Sequence, residues 1–125
     1  MMLYNAKIVL IVDDDPDIRD VMSMILDMEG FVVHTVSNGT DVPNSVATYF
    51  PDLILLDVML GDADGRDICK KLKGDPLTEH VPIIIISATH GRETMNEKNC
   101  GADDYIGKPF DVQVLLDYVN KYVSN

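Results

Sequence analysis

Five short apolar segments recur along the chain: Ile8 to Val12, Phe31 to Val36, Leu53 to Leu56, Ile83 to Ile86, and Tyr105 to Ile106. Four are rich in Ile, Val and Leu without polar alternation, the pattern of strands covered on both faces. Between them the period changes. Ile18, Val21, Met22, Ile25 and Met28 recur at helical spacing, Pro16 suits a first helical turn and Gly30 the position after the last, so the spacing predicts a complete amphipathic helix. Val112, Leu115, Leu116, Val119 and Tyr122 repeat the pattern, with Asp111 as a candidate N-cap. Weaker helical patterns cover 40–50, 65–73 and 92–99; Pro43 fits the first of these only in its opening turn. Strand and helix alternating in this way predict an α/β fold, a doubly wound parallel sheet with right-handed crossovers and helices on both faces.

Composition narrows the class. At 125 residues and 46% hydrophobic, the chain is one domain with a real core, spanning 1–125. The longest apolar runs, Ile8 to Val12 and Pro82 to Ile86, fall far short of the roughly 20 residues a membrane span needs, and the opening MMLYNAKIVL lacks a basic region and cleavage site. A soluble, unexported, cytoplasmic protein is expected. Cys69 and Cys100 have no zinc spacing and are too few for a disulfide framework, so buried or semi-buried thiols in a reducing compartment are expected. His34, His80 and His90 are scattered and suggest no metal cluster. The net charge of −11 argues against direct binding of nucleic acid and favours a cation or a basic protein surface.

Candidate chemistry follows from topology. In open parallel sheets, ligands bind outside the carboxyl ends of the strands. The residues ending those strands are Asp13 and Asp14, Asp57, Ser87, and Lys108. The first strand runs straight into its acids, in KIVLIVDDDPD. Two carboxylates about 4 Å apart repel by roughly 4 kcal/mol at an effective dielectric near 20. Three such acids with one lysine leave more negative charge than a proton and an ammonium offset, whereas Mg²⁺ takes hard oxygen ligands of this kind. Lys108 and Ser87 add donors beside Asp57, which suits an incoming phosphoryl group with the aspartate as nucleophile.

The motifs IVDDDPDIR, PDLILLDVMLGDADG, PIIIISA and GADDYIGKPF span essentially the whole chain. With them it resembles the receiver domain of two-component response regulators. The resemblance implies a flavodoxin-like, five-stranded parallel sheet of order 2-1-3-4-5. It implies that Asp57 accepts a phosphoryl group from a sensor kinase phosphohistidine, directly or through a phosphotransfer protein. It further implies that Asp13 and Asp14 form an acidic pair holding Mg²⁺, with Asp14 the more direct ligand, joined by Asp57 and the backbone carbonyl of Met59. Ser87 is then the switch hydroxyl, Lys108 the partner of another phosphoryl oxygen, and Tyr105 the aromatic whose rotamer follows the switch. A cis bond between Lys108 and Pro109 is common in that family. Asp15 stands outside the acidic pair and is expected to begin the helix.

The chain also departs from the family pattern. Gly61 stands where proline is usual, which predicts a looser loop beside Asp57. Met59 and Thr89 occupy the positions that tune phosphoaspartate hydrolysis, and Pro43 stands where an apolar helix residue is common. Two other readings compete. Aspartate-nucleophile phosphatases of the haloacid dehalogenase type carry Asp-x-Asp after a first strand, which Asp13 and Asp15 satisfy, but a Thr or Val is normal where this chain has Asp17. A receiver that binds partners without phosphorylation is weakened because every chemical position is occupied. The protein is expected to catalyse only its own phosphorylation and dephosphorylation. A downstream protein is expected to dock on the fourth helix, fifth strand and last helix, that is Thr89 to Gly101, Tyr105 and the C-terminal helix, of a monomer or weak dimer.

Overall fold

Parallel pairing of short Ile, Val and Leu segments builds the frame in the computed structural model, which describes residues 6–88 and 100–123. The strands of the main sheet are β1 (Ile8–Val12), β2 (Val32–Val36), β3 (Leu53–Asp57), β4 (Ile83–Ser87) and β5 (Asp104–Gly107). They lie in the order β2-β1-β3-β4-β5, all parallel. The helices are α1 (Pro16–Met28), α2 (Val42–Tyr49), α3 (Gly65–Lys73) and α4 (Val112–Val123). The helix expected over 92–99 lies outside the described residues. A two-residue antiparallel ladder, Met59–Leu60 against Ala63–Asp64, follows β3 and was not foreseen.

Period-2 alternation divides the strands between two cores. Leu10, Val12, Ile54, Leu56, Ile83 and Ile85 face α2 and α3, where Val46, Cys69 and Leu72 meet them. Val9, Ile11, Leu53, Leu55, Ile84 and Ile86 face α1 and α4, meeting Met22, Leu26, Leu115 and Val119. Burial on both faces holds for β1, β3 and β4, but the expectation fails for β2. That strand is a sheet edge, with Val32 41% exposed, and its Val-rich composition does not reveal the difference.

Helix ends follow local chemistry. Asp15 caps α1, its Oδ1 accepting the Asp17 and Ile18 amides at 2.9 and 3.4 Å, and Gly30 leaves the helix at φ +92°. Pro43 falls within the first two positions of α2, the only place it fits. Asp111 accepts the Gln113 and Val114 amides at 2.7 and 3.3 Å, so it begins α4 as expected.

Candidate functional site

β1 runs into Asp13 and Asp14, β3 ends in Asp57, β4 in Ser87, and β5 leads into Lys108. Parallel register brings these ends to one edge: Val12 pairs with Leu56, Asp57 with Ile86, and Ser87 with Gly107. Carboxylate oxygens of Asp13, Asp14 and Asp57 lie within 4.8 Å of one another. Asp13 and Asp57 are buried, at 1% and 6% exposure, and Asp14 faces solvent. Ser87 is fully buried, and its carbonyl accepts the Lys108 amide at 2.7 Å.

Each carboxylate is held differently. Asp13 Oδ2 accepts Lys108 Nζ at 2.8 Å, while its Oδ1 accepts the Asp15 amide at 2.9 Å. Arg19 Nη1 donates to the Asp13 carbonyl at 2.8 Å, fixing the backbone where β1 meets α1. Lys108 Nζ lies 3.6 Å from Asp57 Oδ1, so the ammonium leans on Asp13 and only neighbours Asp57. Burial pushes the Asp57 carboxyl up to about 6; Lys108 opposes this, Asp13 adds to it, the Met59 amide opposes it by hydrogen bonding, and Asp14 adds to it. Asp57 thus gains from a nearby cation or proton.

Three acids against one ammonium leave a net negative pocket. Hard oxygen donors at this spacing, one of them open to water, fit a small divalent cation that keeps part of its hydration shell. Met59 is 65% exposed. Asp15 spends its carboxylate on the α1 cap, which removes it from the site and undercuts an Asp13/Asp15 phosphatase pair. Lys108–Pro109 is cis. Tyr105 is half-buried against the α2/α3 core. Thr89 lies outside the described residues.

Sequence patterns missed two contributors. A Cβ on Gly65 would fall 1.9 Å from the Asp57 carbonyl oxygen, so only glycine lets α3 start against the backbone of the pocket. Its amide donates to the Val58 carbonyl at 2.7 Å. Glycine at the first position of a helix, directly after the Asp64 cap, was the available signal. Asp62 ties the loop expected to be looser: its oxygens accept the Gly39 amide at 2.8 Å, the Thr40 amide at 3.0 Å and the Thr40 hydroxyl at 2.7 Å. Periodicity gives no hint of this link.

A parallel sheet of order β2-β1-β3-β4-β5 with an acidic pocket at its carboxyl edge places the site where open α/β sheets bind their ligands. The response regulator receiver domain model matches residues 9–120, and the chain belongs to that family. Among curated relatives, the DNA-binding dual master transcriptional regulator RpaA of Synechocystis sp. is 38% identical over 109 residues, covering 86% of this chain and 45% of the relative. The transcriptional regulatory protein GltR of Pseudomonas aeruginosa is 36% identical over 116 residues, covering 92% and 48%. The chain thus spans about half the length of these relatives. The receiver domain of a signal transduction histidine kinase from Syntrophus aciditrophicus superposes with a TM-score of 0.88 at 33% identity, covering 95% of this chain and 91% of that one. The chain is a receiver domain of two-component signalling, a class whose general function is phosphorylation on aspartate. Among the described residues no helix is long and apolar enough to cross a membrane.

Proposed function

We propose that Asp57 is the phosphoryl acceptor and that the donor is a phosphohistidine of a sensor histidine kinase or phosphotransfer protein. The observation that carries this reading is a buried Asp57 packed with Asp13 and Asp14 inside 4.8 Å and with Lys108 Nζ at 3.6 Å. The Asp57 carboxylate attacks phosphorus, the phosphorus–nitrogen bond breaks, and the histidine leaves with the bonding pair. Asp13, Asp14, Asp57 and the Met59 carbonyl are the groups that would hold Mg²⁺. When bound, that ion supplies positive charge against the phosphoryl oxygens. Lys108 neutralises a further oxygen, moving from a pocket of carboxylates to one that includes the new dianion.

Ser87 lies at the same edge, and its hydroxyl turns to a phosphoryl oxygen once one is present. Tyr105 follows, and the face containing Tyr105 and α4 changes its fit for a downstream protein. Loss of the group is hydrolysis of the acyl phosphate by water, catalysed by the same pocket.

Incubation with Mg²⁺ and acetyl phosphate, read by intact mass, tests the assignment. One phosphoryl adduct is expected in the wild type and in Asp15→Ala, and none in Asp57→Ala. An adduct that persists in Asp57→Ala and maps to Asp13 would overturn it.

A further inference from the structure

Just after Asp57 the chain folds back in a hairpin too small to hold its own shape. Met59–Leu60 and Ala63–Asp64 pair antiparallel, leaving Gly61 and Asp62 as the turn. Two-residue hairpins ordinarily use turns with positive φ at the first central residue, because that hand matches the twist of the strands. Neither turn residue has it here: among the described residues positive φ is confined to Gly30, Phe50 and Gly101. A two-rung ladder closed by an ill-matched turn, with glycine at its tip, is not self-supporting.

Asp62 supplies the support from outside the hairpin. Its Oδ1 accepts the Gly39 amide at 2.8 Å, and its Oδ2 accepts the Thr40 amide at 3.0 Å and the Thr40 hydroxyl at 2.7 Å. Hydrogen bonds to an ionised acceptor are the stronger kind, and donors on both oxygens fix the carboxylate in place as well as in direction. The loop that donates them is itself braced. Asn38 Nδ2 donates to Asp41 Oδ2 at 3.0 Å, the Asp41 amide donates back to Asn38 Oδ1 at 2.9 Å, and the Val42 amide donates to the Gly39 carbonyl at 3.2 Å. The two loops also interlock at buried Gly39, where a Cβ would fall 2.7 Å from Ile68 Cδ1 and 2.8 Å from the Ala63 Cβ.

The clamped hairpin borders the acidic pocket at two points. Met59 opens it directly after Val58, and its tip at Gly61 lies beside Asp14, where an added Cβ would stand 3.9 Å from Oδ2. A loop already ordered loses less conformational entropy on binding an ion than one the ion must order. We propose that Asp62 is a positioning residue for the divalent-cation site, holding the hairpin so that the Met59 carbonyl and Asp14 are preset for the ion. The inference rests on the ion-binding role proposed above for those two groups, and it adds a residue that touches neither the ion nor the acceptor.

The test follows backbone amide resonances of the folded chain by NMR as MgCl₂ is added at constant KCl, which gives the Kd of Mg²⁺. The same samples without Mg²⁺ give hydrogen exchange at Gly39 and Thr40. Asp62→Ala should speed exchange at both amides and weaken Mg²⁺ binding by about threefold to tenfold, below the usual loss for a residue bonded directly to a metal ligand. Adduct formation with acetyl phosphate should slow by the same factor at limiting Mg²⁺ and match the wild type at saturating Mg²⁺. Adding Gly61→Pro to Asp62→Ala should restore the affinity to within about twofold of wild type, because proline stiffens the turn and no positive φ bars it. The double variant still lacks the carboxylate, so its recovery separates positioning from the loss of a nearby negative charge. An Asp62→Ala affinity equal to that of the wild type, a slower rate that persists at saturating Mg²⁺, or a double variant as weak as Asp62→Ala would each overturn the proposal. A wild type that neither binds Mg²⁺ nor gains the adduct would remove the reading of the pocket itself, and the proposal with it.

Discussion

Burial and charge conflict at Asp57, and pH exposes it. Its carboxyl titrates at 3.8 when free and at about 6 in the folded chain, burial being the main cause. Between these values the folded state holds a proton that the unfolded state has released, so stability falls as pH rises through about 6. Asp57→Asn keeps the shape and removes the charge. It should therefore stabilise the chain at neutral pH by about 1–2 kcal/mol, a figure reduced for water at the pocket mouth, and have no such effect below the ordinary carboxylate range. Thermal melts of both proteins across pH check this; a constant difference at all pH values would refute it. The same titration governs chemistry, since only the carboxylate is nucleophilic. The initial rate of adduct formation should fall as pH drops through about 6, and its midpoint should move lower as Mg²⁺ is raised, because a cation favours the charged form.

At the scale of elements, α1 and α3 reach the pocket by different devices, and two substitutions separate them. Asp15→Ala removes a cap and should cost about 1 kcal/mol in urea melts while leaving adduct formation at Asp57 intact. Gly65→Ala pushes a methyl into the Asp57 carbonyl, 1.9 Å away, and should cost about 3 kcal/mol or more and shift the acceptor with it. Gly61→Ala is the control: its Cβ meets Asp14 Oδ2 at an ordinary 3.9 Å, and the change should stay within about 1 kcal/mol. Equal losses at Gly65 and Gly61 would show that glycine's freedom, not close approach, is what matters. The same elements mark the limits of sequence patterns. α1 was legible because Pro16, the helical repeat and Gly30 agree with one another, whereas β2 reads like a buried strand and is an edge. Hydrophobic period reports which face of an element is apolar; it carries nothing about what stands opposite Gly65 or which amides Asp62 reaches across 22 and 23 residues.

For the whole molecule, the strand-end rule brings Asp13, Asp14, Asp57, Ser87 and Lys108 to one edge before any coordinate is known, because a parallel sheet aligns all its carboxyl ends. What the rule leaves open is partnership: Lys108 closes on Asp13 rather than Asp57, and the Cys69 thiol finds the Cys100 carbonyl, contacts set by side-chain reach. A chain of net charge −11 that gathers three of its acids in one pocket stores repulsion that a bound divalent cation would relieve only in the folded state. Ligand binding to the native state alone stabilises it by RT ln(1 + [L]/Kd), about 2.7 kcal/mol at a hundredfold excess over Kd. Mg²⁺ should therefore raise the melting temperature in proportion to the logarithm of its concentration once the site is filled, well beyond what KCl does at matched ionic strength. Asp14→Asn should weaken that rise by removing the solvent-facing ligand without disturbing the Asp13–Lys108 pair. An equal response to Mg²⁺ and KCl would reduce the effect to screening of the overall charge and leave the pocket without a resident ion.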